Sequence, residues 1–212
     1  MKTILITIVL FIGVLSMNAK AQSDSIQTPS LLDDVLLMDA QPTKLLPDRF
    51  LFTQRIFWGE KGLMRNFNAF ELSPEERQRE LRIRRTMLVA HQTMGILTAG
   101  AMAAQGIVGA RLYNGHTNLK DTHETLAGFV NFGYFTTASL SLFAPPKMID
   151  ERKGYSSIKL HKALAIVHLS GMIATNILAT QLESHPGLRP YHRAAAFTTF
   201  GAFATSMIVI KF

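Results

Sequence analysis

Four runs of this 212-residue chain contain no Asp, Glu, Lys or Arg: residues 87–110, 125–146, 163–182 and 194–210. Each is close to the ~17–25 residues that a helix needs to cross the hydrocarbon core of a bilayer. Backbone in lipid must satisfy its own hydrogen bonds, and no segment alternates as a strand would, so helix is the expected form. The connections are brief. Asn114-Gly115 ends the first run, Pro145-Pro146 ends the second, and Pro186-Gly187 lies between the third and fourth. Short loops force neighbouring helices antiparallel, which predicts an all-α, up-and-down bundle of four membrane helices over residues 73–212.

The first helix has a defined beginning upstream of its apolar part. Ser73 can cap, Pro74 suits the first helical position, and Glu76 completes a capping box. No further breaker precedes the glycines of the run, so one helix is expected from Pro74 to about Leu112, charged over its first third. Residues 1–21 read as a secretory signal peptide: Lys2, an apolar stretch at 4–17, and Ala19-Lys20-Ala21 ahead of Gln22. Residues 22–72 form a polar leader, with a short apolar strip at 31–38. Within the leader, residues 49–65 set Phe52, Ile56, Phe57 and Trp58 near one helical face and Arg55, Glu60 and Lys61 elsewhere. Next to membrane spans, such a segment reads either as an amphipathic interface helix or as a plug at the mouth of the bundle.

A cleaved signal would place the leader in the periplasm, outside a bacterial inner membrane. Charge bias points the other way. Eleven basic residues flank the side where the first and third runs begin: Arg77, Arg79, Arg82, Arg84, Arg85, Lys147, Arg152, Lys153, Lys159, Lys162 and Lys211. Only Arg111, Lys120, Arg189 and Arg193 flank the other, so the positive-inside rule would make the first side cytoplasmic. The expected orientation follows the signal peptide.

The net charge of +7 sits at the ends of the runs, without an aromatic-rich basic patch, and gives no support to nucleic-acid binding. The lack of cysteine excludes iron–sulfur clusters, thiolate metal sites and covalently attached c-type haem. Imidazole, Met and carboxylate remain as ligands.

A histidine stands at or near the start of every run: His91, His123, His161 with His168 further in, and His192. Antiparallel order brings His91 to His161 or His168 near one membrane face, and His123 to His192 near the other. Two imidazoles facing each other from separate helices are what a six-coordinate b-type haem requires. A porphyrin lying against a helix also needs a small side chain one turn from its ligand. The residue four after each histidine is Gly95, Ala127, Ala165 and Ala196, on the ligand's own face. That pattern favours His161 over His168, whose fourth follower is Met172. His161 and His168 could instead hold another metal or relay protons. A zinc or di-iron site would want carboxylates, and only Glu124 and Glu183 lie near. Arg84, Arg85, Lys159 and Lys162, and on the other side Lys120 and Arg193, either neutralise haem propionates or mark the membrane boundary. His116 and His185 fall in loops.

With LHKALAIVHLSG at 160–171, HETLAG at 123–128 and YHRAAA at 191–196, the region 87–210 resembles the cytochrome b561 family of transmembrane electron-transfer proteins. The resemblance implies two b haems held by histidines of alternate spans, His91 with His161 and His123 with His192. Family members usually carry extra flanking spans, and this chain shows no ascorbate-binding motif, which leaves the electron donor open. The expected function is an electron carrier or redox-complex subunit moving single electrons between membrane faces, rather than an enzyme with its own substrate. The alternative is a cofactor-free scaffold. Small residues at one-turn spacing (Gly95/Ala99/Ala103, Gly106/Ala110, Ala195/Thr199, Gly201/Thr205) would pack its helices, and residues 49–65 would recognise a partner.

Overall fold

The computed structural model describes residues 44–148 and 154–211. The signal peptide, the first part of the leader with its apolar strip, Arg152 and Lys153 lie outside the described residues. Among the described residues, five α-helices follow in order: α1 (Phe52–Trp58), α2 (Pro74–Tyr113), α3 (Lys120–Leu142), α4 (Ser157–Ala179) and α5 (Arg189–Lys211). No strand occurs among the described residues.

The start of α2 follows from its capping residues. Ser73 is extended, its hydroxyl accepts the Glu76 backbone N–H at 3.2 Å, and Pro74 takes the first turn. Gly115, at φ +98°, turns the chain away after Asn114, in the left-handed region that only glycine enters freely. At 40 residues, α2 is about 60 Å long, twice the hydrocarbon thickness, so its charged first third extends beyond lipid.

Among the described residues, three helical stretches are long and apolar enough to cross a membrane: α2, α4, and Pro186–Ile210, which takes in all of α5 but its last residue. Many of their large apolar side chains point outward; Val89, Leu97, Ile107, Ile166, Ile177 and Ile208 are all exposed, as on a membrane protein. The expected fourth span, residues 125–146, falls largely on α3. Helix α3 equals α4 and α5 in length at 23 residues but is not among the three. Asn131, Tyr134 and the hydroxyls of Thr125, Thr136, Thr137, Ser139 and Ser141 dilute its apolar content. Three of those hydroxyls, on Thr125, Thr137 and Ser141, bond to carbonyls of α3 itself.

The long helices pack as two tight hairpins, α2 with α3 and α4 with α5; between hairpins, only α2 and α5 run close over any length. Glycines set the close approach within each hairpin. A Cβ on Gly133 would stand 2.7 Å from Thr98 Oγ1, and one on Gly171 would collide with Thr199. The expected Gly201/Thr205 face does not serve this purpose, since a Cβ on Gly201 meets nothing within 4 Å.

The hairpins match residue for residue. His161 and Met172 each lie 70 positions after His91 and Met102, while His192, Phe203 and Ser206 lie 69 after His123, Tyr134 and Thr137. Met102, Met172, Tyr134 and Phe203, with Val130, form the buried middle layer of the bundle.

The described leader caps the end where α2 begins and α3 finishes. Thr53 Oγ1 donates to the Leu142 carbonyl (2.6 Å), Gln54 Nε2 to Ala144 (3.0 Å) and Trp58 Nε1 to Phe143 (2.9 Å). Carbonyls at and beyond a helix C-terminus have no partner within the helix, so α1 supplies them. Trp58 is therefore only 5% exposed, whereas Phe52 is 78% exposed and Ile56 also turns outward. The face that groups all four apolar residues is thus split, and Trp58 is no lipid anchor.

Beneath the cap, the fully buried Glu80 on α2 pairs with both Arg65 and Arg77. Arg65 also donates to the carbonyls of Trp58 (2.8 Å) and Phe70 (2.7 Å). Arg77 donates to those of Leu45 (2.9 Å) and Pro146 (3.1 Å). One carboxylate thereby ties together leader, helix and loop.

Candidate functional site

The structure brings the four end-of-helix histidines together in two pairs, each spanning the gap between hairpins. His91 on α2 faces His161 on α4, with ring centroids 6.2 Å apart and planes at 86°. His123 on α3 faces His192 on α5, at 6.5 Å and 77°. His168 lies elsewhere. It is buried in the middle layer, its Nδ1 hydrogen-bonded to the Tyr134 hydroxyl at 2.6 Å and its ring edge-on to Phe203. Of the two partners left open for His91, His161 is the one whose ring faces it.

Each helix also holds the histidine of its hairpin neighbour. Fourteen residues after its own histidine, each long helix presents that holding group: Gln105 after His91, Thr137 after His123, Thr175 after His161 and Ser206 after His192. This spacing sets the two pairs about 21 Å apart along the bundle at 1.5 Å per residue.

Three of the four imidazoles are anchored through Nδ1 to a backbone carbonyl: His91 to Thr137 (2.8 Å), His161 to Ser206 (2.8 Å) and His192 to Thr175 (3.1 Å). A carbonyl only accepts, so Nδ1 carries the proton and Nε2 keeps its lone pair. Metal-ligating histidines are oriented in this way. His123 differs: its Nε2 lies 3.3 Å from Gln105 Nε2, and its Nδ1 is buried without a partner.

The donor set can be tested against a metal. Two metal–nitrogen bonds of about 2.0 Å and two ring radii of about 1.15 Å put imidazole centroids on opposite sides of one ion about 6.3 Å apart. Both separations match that span; His91, His161 and His192 keep Nε2 free, whereas His123 has Nε2 on Gln105 and Nδ1 buried. Rings at right angles do not conflict with that span. Among the described residues, no three or more His, Asp or Glu side chains converge on one point. A site built from four protein ligands is therefore not present there. Two imidazoles alone suit a metal whose other positions are filled by a macrocycle.

The small residues behave unequally. Ala127, Ala165 and Ala196 are half-buried, one turn from their histidines. Gly95 is buried against its own hairpin, where a Cβ would make ordinary contact with Thr137 at 3.6 Å. Sequence reasoning missed Gly109, where a Cβ would stand 2.8 Å from His123 Cε1. Its signal was present: Gly109 lies one turn beyond Gln105, on the α2 face that antiparallel order turns toward His123.

The flanking cations are mostly engaged. Arg84 donates to the Pro145 carbonyl (2.7 Å), Lys159 to Gly154 (2.6 Å), and the Arg193 guanidinium lies 4.7 Å from the Tyr113 ring centre. Lys120 pairs with Glu183 at 2.8 Å across the two loops; the bond raises the amine pKa and lowers that of the carboxyl. These contacts favour the boundary reading over a role with propionates. His116 and His185 are exposed loop residues. No family model, no curated protein and no solved structure matches this chain.

Proposed function

We propose that this protein is an integral membrane b-type cytochrome of the b561 kind, a four-span helical bundle that moves single electrons between the two membrane faces. One haem would be held by His91 and His161, the other by His123 and His192. The observation that carries this reading is the pair of ring separations, 6.2 and 6.5 Å, each across a sparsely packed gap between hairpins. One-electron exchange at iron is the chemistry such a group supplies when bound. The chain's part is to orient: Nδ1 anchors on three histidines direct Nε2 away from the backbone, and Gly109 makes room for the fourth ring. Its partners are the lipid bilayer and a redox protein.

The protein purified in mild detergent, after expression with adequate haem, is expected to show a sharp α-band of b type on dithionite reduction. A colourless product would leave the cofactor-free scaffold in its place.

The leader is proposed to face the periplasm of a bacterial inner membrane. The chain contains no cysteine, so an introduced thiol is the sole target for labelling. Tyr155, fully exposed before α4, shares the leader's side, while His116 lies on the other. Tyr155→Cys is expected to react with a membrane-impermeant maleimide in intact cells, and His116→Cys only after permeabilisation. The opposite pattern would invert the protein.

A further inference from the structure

Where α2 enters its apolar run, one side of the helix carries an open groove of about 310 Å³, lined by Leu81, Arg84, Arg85, Leu88, Val89 and Gln92. These positions recur at three- and four-residue steps, so they stack along a stripe about 16 Å long. The stripe changes character along its length. Arg84 and Arg85 stand just before the charge-free run begins at Met87, and Leu88, Val89 and Gln92 lie within it. Arg84 donates to the Pro145 carbonyl at 2.7 Å, a neutral partner that leaves its charge uncompensated. Neither arginine pairs with a carboxylate among the described residues, in contrast to Arg65, Arg77 and Arg79. Val89 and Gln92 are exposed, and the Gln92 amide has no hydrogen-bond partner among the described residues. An amide that faces hydrocarbon without a partner is costly.

We propose that this groove is a binding site for an anionic phospholipid. The two guanidiniums take the phosphate, whose oxygens suit their forked donors. An acyl chain lies over Leu88 and Val89, and an ester carbonyl accepts from the Gln92 side chain, which leans toward the helix start as helical side chains do. Charge and polarity select this occupant. A lipid is anionic at the level of the arginines and apolar one turn deeper, the same order as the groove. An acidic protein segment or a free phosphate matches the arginines alone and leaves the apolar floor uncovered. A zwitterionic lipid brings its own cation to the same place and is held less tightly.

The experiment takes the full chain, stripped of lipid in a neutral detergent, and titrates it with phosphatidylglycerol or with phosphatidylcholine of identical chains. Native mass spectrometry counts the bound lipid, and the rise in melting temperature reports its affinity. Phosphatidylglycerol is expected to bind and stabilise more strongly, and inorganic phosphate alone to do neither. Arg85→Gln is expected to weaken phosphatidylglycerol binding about fivefold and to change phosphatidylcholine little. Arg111→Gln removes the same charge from the far end of α2 and should leave the preference intact. Gln92→Glu, nearly isosteric, sets a negative charge in the groove and should reduce the preference; it decides the matter if Arg85→Gln fails to fold. Equal binding of the two lipids, equal losses in Arg85→Gln and Arg111→Gln, or an unmoved Gln92→Glu overturns the proposal. Stabilisation by inorganic phosphate as large as by the lipid would assign the groove to a free anion. Displacement of the lipid by a soluble acidic peptide would assign it to a protein partner, and either result overturns the proposal too. The outcome is the same whether the purified protein is coloured or colourless, so it stands or falls apart from the proposed function.

Discussion

Alanine at His91 or at His161 is expected to remove one haem and leave the other, and alanine at His123 or His192 to remove the second. Each substitution should therefore cost about half of the bound pigment, measured by haem content and by the amplitude of the reduced band. The reason is geometric: each ring has one partner, 6.2 or 6.5 Å away, and no third protein ligand stands by among the described residues. A lone imidazole would hold the group from one side only, and loss of one ligand or its support weakens binding by large factors. His168→Ala serves as the control and should retain both haems, since His168 is bonded to Tyr134 in the middle layer. Loss of a single shared signal in all four variants would refute the pairing.

Replacing Glu80 by alanine should release the cap from the bundle. Arg65 and Arg77 would lose the carboxylate that both grip, and Arg77, only 1% exposed, would remain buried with an uncompensated charge. Breaking a buried pair from one side costs about 3–5 kcal/mol. Thermal unfolding in detergent, with limited proteolysis of residues 59–72, measures the effect. Because Arg77 also serves three carbonyl or sulfur acceptors on Leu45, Pro146 and Met148, Glu80→Gln should lose less than Glu80→Ala. Equal proteolysis of wild type and Glu80→Ala would show that the carboxylate does not hold the cap.

Local signals survived into the structure, and long-range ones did not announce themselves. The Ser73–Glu76 capping pattern and the turn at Gly115 depend on adjacent residues, so they could be read directly. The histidine pairs were legible because short loops dictate which helix ends meet. The fate of Trp58 was hidden, because its carbonyl partner on Phe143 lies 85 positions away and leaves no periodic trace. Gly133 and Gly171 look like any other glycine until Thr98 and Thr199 are set against them.

The partners of the basic residues were hidden for a related reason. Arg77, Arg79 and Arg84 read as membrane-surface cations, yet Arg77 is buried with Glu80, Arg79 pairs with Glu76 at 2.9 Å, and Arg84 grips Pro145. Part of the basic excess thus belongs to the folded cap.

The middle layer has a consequence for the membrane as a barrier. Met102, Met172, Val130 and Phe203 fill the bundle between its two ends, and the polar groups beside them, Tyr134 with His168 and Asn131 with Asn176, bond to each other. Polar groups that spend their hydrogen bonds on one another offer a permeating ion little in exchange for its water, so the layer resists leakage from one end of the bundle to the other.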